Sequence, residues 1–188
     1  MTFDSDRPLP IIHARRERRP ANLFMVEQLD LEFANGERRT YERLVSRGLG
    51  GVIIVAMPDP DHVLLIREYA CGFHRYELCL PKGRLEAGES VLDGANRELQ
   101  EECGFGAEQL VSLGPLTMAP GYMTHATEVV LARDLYPSRL PGDEPEELQV
   151  VPWPLADLVS LIQREDCSEG RSIAALYMAR DLLERGCV

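Results

Sequence analysis

The chain has 188 residues, 45% of them apolar and 27% charged, and its 20 Lys and Arg against 31 Asp and Glu give a formal charge of −11. This apolar content excludes a disordered chain, and a core of this size buries roughly 70% of the surface the unfolded chain exposes, so neither disulfides nor a structural metal is needed to hold it. The acidic balance argues against non-specific nucleic-acid binding, which needs a face of clustered Lys and Arg; if the chain handles phosphates, it needs a cation.

The first twenty or so residues are polar, carry Pro8, Pro10 and Pro20, and read as a loosely ordered arm. Asp4, Asp6, Arg7 and the arginine run at 15–19 stand where the apolar core of a signal peptide would follow Met1, and no stretch approaches the roughly 20 apolar residues of a membrane span. The cytoplasm is the expected compartment. The arginine run contains Glu17 and is read as a solvated arm or subunit contact.

Residues 24–33 largely alternate apolar and polar, Asn35-Gly36 supplies a tight turn, and 39–44 return, which predicts an antiparallel hairpin. Gly50-Gly51 opens a buried strand over 52–57, Asp59-Pro60-Asp61 turns, and 63–69 form the next strand. A short strand at 76–80 runs into Pro81 and a Gly-containing loop. Further strands are predicted near 110–118, 127–135 and 148–152, with helices over 155–163 and 172–185. The five cysteines include no Cys-x-x-Cys pair and suggest neither a disulfide framework nor a zinc site. The mixture points to a sheet covered on both faces by helices.

The helix predicted over 90–103, with Ser90 as N-cap and Gly104 past its end, carries the chemistry. Glu98, Glu101 and Glu102 crowd one side, with Glu98 and Glu102 one turn apart, and like charges at that spacing repel. Arg97 can pair with Glu101 but cannot neutralise three carboxylates. Leu92, Ala95, Leu99 and Cys103 dock the other side on the core and hold the acidic ridge in place. Several carboxylates on a fixed frame suit a hard divalent cation, Mg²⁺ or Mn²⁺, although a Glu-rich face can also be merely solvated. Gly94, on the acidic side, is read as leaving room for a bulky ligand.

Gly83, Glu89, Arg97-Glu98-Leu99, Glu101-Glu102 and Gly104-Phe105 together resemble the Nudix box, G-x5-E-x7-R-E-U-x-E-E-x-G-U with U apolar, at every fixed position. Leu65-Ile66-Arg67-Glu68-Tyr69, Tyr76-Glu77-Leu78 before Pro81, and Pro120 are similar to the ADP-ribose pyrophosphatase branch of that family. The resemblance implies an α/β/α sandwich around a mixed sheet, and a hydrolase that cleaves ADP-linked metabolites such as ADP-ribose, diadenosine polyphosphates and NADH to release AMP. It implies Glu98, Glu102 and the Lys82 carbonyl as metal ligands, Glu101 as a ligand or water-orienting group, and Arg97 with Glu89 as braces. Arg67 reads as a phosphate contact or a strand-end surface charge, Glu77 as a hydrogen-bond partner of the substrate or a residue of a polar strand face, and Pro120 as a substrate contact that the resemblance implies. Ala70 stands where relatives often carry a second phosphate-holding Arg, and Lys82 could replace that charge only if its side chain faces the site.

The resemblance implies a general base from the loop after the strand that follows the box, here Gly142-Asp143-Glu144-Pro145-Glu146-Glu147, with Glu144 or Glu146 favoured for reach and Glu101 next; a solvated acidic turn is the alternative. Residues 1–46 are expected to form an arm and hairpin that support a homodimer, and 47–188 the catalytic domain. A sugar-nucleotide hydrolase or a non-catalytic nucleotide sensor are the competing functions.

Overall fold

The computed structural model describes residues 24–46 and 48–188; the N-terminal arm and its arginine run at 15–19 lie outside them. In chain order the strands are Phe24–Glu32 (β1), Arg38–Ser46 (β2), Gly51–Ala56 (β3), His62–Ala70 (β4), Arg75–Cys79 (β5) and Lys82–Arg84 (β6), followed by helix Val91–Glu102 (α1). Strands Phe105–Thr117 (β7), Ala126–Pro137 (β8) and Gln149–Pro154 (β9) come next, and a 3-10 turn over Leu155–Asp157 leads into Leu158–Ile162 (α2) and Gly170–Glu184 (α3).

The predicted hairpin is present: β1 pairs antiparallel with β2 from Phe24 opposite Ser46 to Glu32 opposite Arg38, and Gly36 takes the left-handed φ of 82° that the turn requires. Its far end joins the body through Leu44, whose N–H donates to the Tyr122 carbonyl while its own carbonyl accepts from Thr124 N–H.

Two sheets form the body, ordered β6-β3-β8-β7 and β5-β4-β9. The β3–β8 pair is parallel and the other pairings are antiparallel. A strand buried on both faces reads as a continuous apolar run, and Val52-Ile53-Ile54-Val55 in β3 is such a run. Its residues split by parity. Val52, Ile54 and Ala56 pack with Leu64 and Ile66 against Ala95, Leu99 and Cys103 at α1. Ile53 and Val55 pack with Leu65, Leu78 and Leu131 against Leu158, Leu161, Ala175 and Leu176 of α2 and α3. Helices therefore cover both faces of this layer of one mixed and one antiparallel sheet, as the α/β/α reading requires. Leu99 is wholly buried, and truncating such a leucine costs about 2–5 kcal/mol, which is what fixes α1 to the sheet.

Three elements differ from expectation. The loop after Pro81 contains the short strand β6, whose partner β3 lies far away in sequence and leaves no periodic signal in three residues. Strand β7 starts at Phe105, directly after the helix, where Gly106 and Ala107 have little strand propensity of their own. The helix expected over 155–163 is broken into a 3-10 turn and a short α2 at Asp157, whose ψ is 41°. Among the described residues, no helix is long and apolar enough to cross a membrane.

Candidate active site

Ser90 caps α1 by accepting from Asp93 N–H, and Cys103 and Gly104, the latter at φ 76°, end it. The helix presents Glu98, Glu101 and Glu102 to a cavity of about 1130 Å³, whose lining also includes Glu68, Lys82 and the loop that carries Asp143 and Glu144.

Arg97 is the hub of the ridge. Its Nε and Nη2 donate to the two Glu89 oxygens at 2.9 and 3.1 Å, Nη2 also reaches the Arg84 carbonyl at 2.8 Å, and Nη1 bridges Glu98 at 2.8 Å and Glu101 at 2.9 Å. These hydrogen bonds hold the Glu89 carboxyl below its ordinary value. Glu89 in turn accepts from Glu86 N–H at 2.9 Å and so ties the loop to the helix. Gly83 is glycine because the Glu98 carboxylate lies where its β-carbon would be. Gly94 does not leave room for a ligand: a β-carbon there would come within 2.6 Å of Leu85 Cδ2 and 2.9 Å of Glu89 Oε2, so its space serves loop-on-helix packing.

Glu102 is buried, and Lys82 N–H donates to its Oε2 at 2.8 Å, which sets the Lys82 backbone beside it. Burial, reinforced by Glu68 and Glu98 and opposed by Lys82, pushes the Glu102 carboxyl up to about 8. Burial likewise raises Glu98, outweighing Arg97, with Glu101 and Asp143 adding to the rise. The Lys82 side chain does turn toward the cavity, but its Nζ is paired with Glu68 and lies 3.2 Å from Cys79 Sγ.

The loop after β8 reaches the same space. It is pinned to the end of α1 by Ser138, whose N–H donates to the Gly104 carbonyl at 3.0 Å and whose Oγ donates to Gln100 Oε1 at 2.8 Å. Tyr76 donates to Glu146 Oε1 at 2.7 Å. Burial, with Glu68 and Asp143 nearby, holds the Glu144 carboxyl above its ordinary value.

Other expected contacts lie elsewhere. Arg67 follows the parity of Val63 and Leu65, toward α2 and α3; its Nη1 is 3.4 Å from Asp166 and its guanidinium lies 5.9 Å from the Tyr76 ring centroid. Glu68, one residue on, faces the cavity instead. Glu77 is buried, pairs with Arg75 and accepts from Ser168 N–H at 2.9 Å, bracing the segment before α3 outside the cavity lining. Pro120 is exposed, two residues from Met118 on the cavity wall. Glu68, Arg84 and Arg171 line the cavity without having been singled out; period-two reading of β4 from Leu64 and Ile66 reaches Glu68, but nothing local flags Arg171.

Among the described residues no three His, Cys, Asp or Glu side chains stand grouped as a ready-made metal centre, and Arg97 Nη1 bridges Glu98 and Glu101. The donor set still fits a hard divalent cation. Glu98 and Glu102 are partly or fully buried carboxyls whose values are raised chiefly by burial, which marks the cost of holding their charge away from water, and a bound cation would offset that cost.

A ridge of carboxylates braced by one arginine and facing a large cleft is the arrangement of a hydrolase site, and the family resemblance is of the same kind. Residues 49–175 match the NUDIX domain model and residues 10–43 the NudE-type Nudix hydrolase N-terminal domain. The chain belongs to the Nudix hydrolase family. It is similar to the ADP compounds hydrolase NudE of Escherichia coli K12, at 49% identity over 87% of this chain and 88% of that protein. It is also similar to the ADP-ribose pyrophosphatase of Bacillus subtilis 168, at 26% identity over 78% of this chain and 80% of that one. A crystal structure of an ADP compounds hydrolase superposes with a TM-score of 0.80 at 46% identity, covering 96% of this chain and 98% of that one.

Proposed function

We propose that the chain hydrolyses the diphosphate bond of ADP-linked metabolites (ADP-ribose, diadenosine polyphosphates and NADH) with a divalent cation, Mg²⁺ or Mn²⁺, and releases AMP. The observation that carries this is the Arg97-braced ridge of Glu98, Glu101 and Glu102 facing the loop acids across one cavity. The names of the Escherichia coli and Bacillus subtilis relatives support the choice of substrate class.

Glu98, Glu102 and the Lys82 carbonyl would hold the cation, with Glu101 as a further ligand or an orienter of water. A divalent ion bound there supplies charge neutralisation for the diphosphate and a lowered pKa for the attacking water. Arg97 and Glu89 keep the ligand carboxylates aimed. Glu144 or Glu146 takes the water's proton as the water oxygen bonds to phosphorus and the bridging P–O bond breaks. Displacement at phosphorus asks mainly for this positioning and charge stabilisation. The functional unit in this reading is a cytoplasmic homodimer built through the hairpin, whose Met25, Val26, Leu31 and Phe33 are exposed; a monomer in sedimentation at assay concentration contradicts it.

A substrate panel with product analysis tests the reading. AMP without free phosphate from ADP-ribose is the expected result. Binding without turnover would make the chain a sensor, and turnover confined to non-adenine sugar nucleotides would move it to another specificity.

A further inference from the structure

The cavity has a second wall of opposite sign. Gly51 in β3 is the register partner of both Arg84 in β6 and Thr127 in β8, so the three lie in a row across the sheet. With two strand spacings between them, the outer backbones stand about 10 Å apart, and the residue in the middle carries no side chain. Arg171, from the first turn of α3, extends this row: its Nη1 donates to Thr127 Oγ1 at 3.1 Å and its Nε to Glu169 Oε1 at 2.6 Å. His125 completes the wall, with its Cε1 3.9 Å from where a Gly51 β-carbon would lie. Arg84, Gly51, His125, Thr127 and Arg171 all line the cavity that the acidic ridge faces.

The remaining cations of this cavity are already matched. Lys82 is paired with Glu68, Arg97 with Glu89, Glu98 and Glu101, and Arg139 with Glu147. Arg84 differs: among the described residues its guanidinium has no ion pair or hydrogen bond, although the chain carries a formal charge of −11. Arg171 uses Nε and Nη1 and leaves Nη2 without a partner among the described residues. Burial and the two arginines hold the His125 imidazole below its ordinary value, and its Nε2 lies 3.3 Å from Thr127 Oγ1. An unpaired guanidinium and a braced one, facing one space across a side-chain-free strand position, are the donors that phosphate oxygens take.

We propose that Arg84 and Arg171 form an anion subsite that holds the phosphate of the substrate farther from the acidic helix: the second phosphate of a dinucleotide or sugar diphosphate, and the outer phosphates of a dinucleoside polyphosphate. The subsite replaces the clamp that Ala70 cannot supply and that Arg67, paired with Asp166 outside the cavity lining, does not supply. It rests on the reading of the cavity as a diphosphate-hydrolase site.

The test is calorimetric binding of ADP-ribose to the full chain in EDTA, which removes turnover and the metal contribution together. Arg84→Gln and Arg171→Gln should each weaken the Kd by about tenfold or more, and Arg171→Lys should recover part of the loss. With Mg²⁺ present, the KM for ADP-ribose should rise in the same order, and more steeply for diadenosine pentaphosphate. Arg84 has no structural partner, so its variant stays folded and interpretable whatever happens at Arg171. Failure of the wild type to bind ADP-ribose in EDTA, or a Kd for either Gln variant within about twofold of wild type, overturns the proposal. Absence of wild-type hydrolysis beside an intact binding pattern would refute the activity and leave the subsite standing.

Discussion

Arg97 and Glu89 face each other fork to fork, Nε to Oε1 at 2.9 Å and Nη2 to Oε2 at 3.1 Å, while the remaining nitrogen of the same guanidinium holds Glu98 and Glu101. Glu89 thus orients two carboxylates it does not touch. Glu89→Gln keeps the size of the side chain but replaces the charged fork. The apparent affinity for Mn²⁺ should fall about 10–100-fold, with most of kcat recovered at saturating metal. A metal titration followed by product release reads this directly; an unchanged half-saturation point would remove Glu89 from the role of brace.

Gly83→Ala separates folding from function. The new β-carbon would overlap the Glu98 carboxylate, which is the far end of a flexible side chain and can swing away. The thermal midpoint should move by only a few degrees, the scale of about 1 kcal/mol, while turnover falls by orders of magnitude. Normal kcat in a folded Gly83→Ala protein would show that the position of Glu98 does not matter.

For the general base, Glu144 and Glu146 make different predictions. Glu146 is held by Tyr76, whereas Glu144 lies near Glu68 and Asp143 with its carboxyl raised by burial. Glu144→Gln should lower kcat by about 10²–10⁴-fold and remove the acidic limb of the kcat profile, since a base acts only above its own pKa. Glu146→Gln should have the smaller effect. If both leave kcat unchanged across pH, Glu101 becomes the candidate.

Much of this site was legible because its signals are local. Ser90, Asp93 and Gly104 mark the ends of α1, and the spacing of Gly83, Glu89 and Arg97 specifies a loop folded back on a helix. The hairpin was equally readable from Asn35-Gly36. What escaped depends on sheet geometry. Arg67 and Glu68 are neighbours on opposite faces of β4, so a slip of one residue exchanges a cavity residue for one turned toward Asp166. Gly94 and Gly83 are both glycines beside carboxylates, and only packing shows that one admits Leu85 and the other Glu98. Arg171 reaches the cavity through the parallel pairing of β3 with β8, a contact between segments far apart in the chain.

Glu169 links stability to pH. It caps α3 by accepting from Ser172 N–H at 2.7 Å and pairs with Arg171. Burial alone would raise its carboxyl, yet the Arg171 guanidinium and the Ser172 hydroxyl and amide outweigh it and hold it below 4.5. A depressed carboxyl contributes stability that is complete above its unfolded value and lost as pH falls through the folded one. Glu169→Ala should therefore cost about 1 kcal/mol at neutral pH, and the difference from wild type should close below pH 4.5. Thermal melts at neutral and acid pH check this; a gap that stays constant with pH would deny the carboxylate its role.

The central claim is that a cation held by the α1 carboxylates drives hydrolysis of an ADP-linked diphosphate. The most direct measurement is the rate of AMP release from ADP-ribose as a function of Mg²⁺ concentration, for the wild type and for Glu102→Gln. Wild-type release should be absent in EDTA and rise to saturation with metal, and Glu102→Gln should stay at least about 100-fold lower at every concentration while melting no earlier, because an amide is a poor ligand for a hard cation yet still offers an oxygen to the Lys82 N–H. AMP release that persists in EDTA, or a Glu102→Gln protein that matches the wild type at saturating Mg²⁺, would contradict the account.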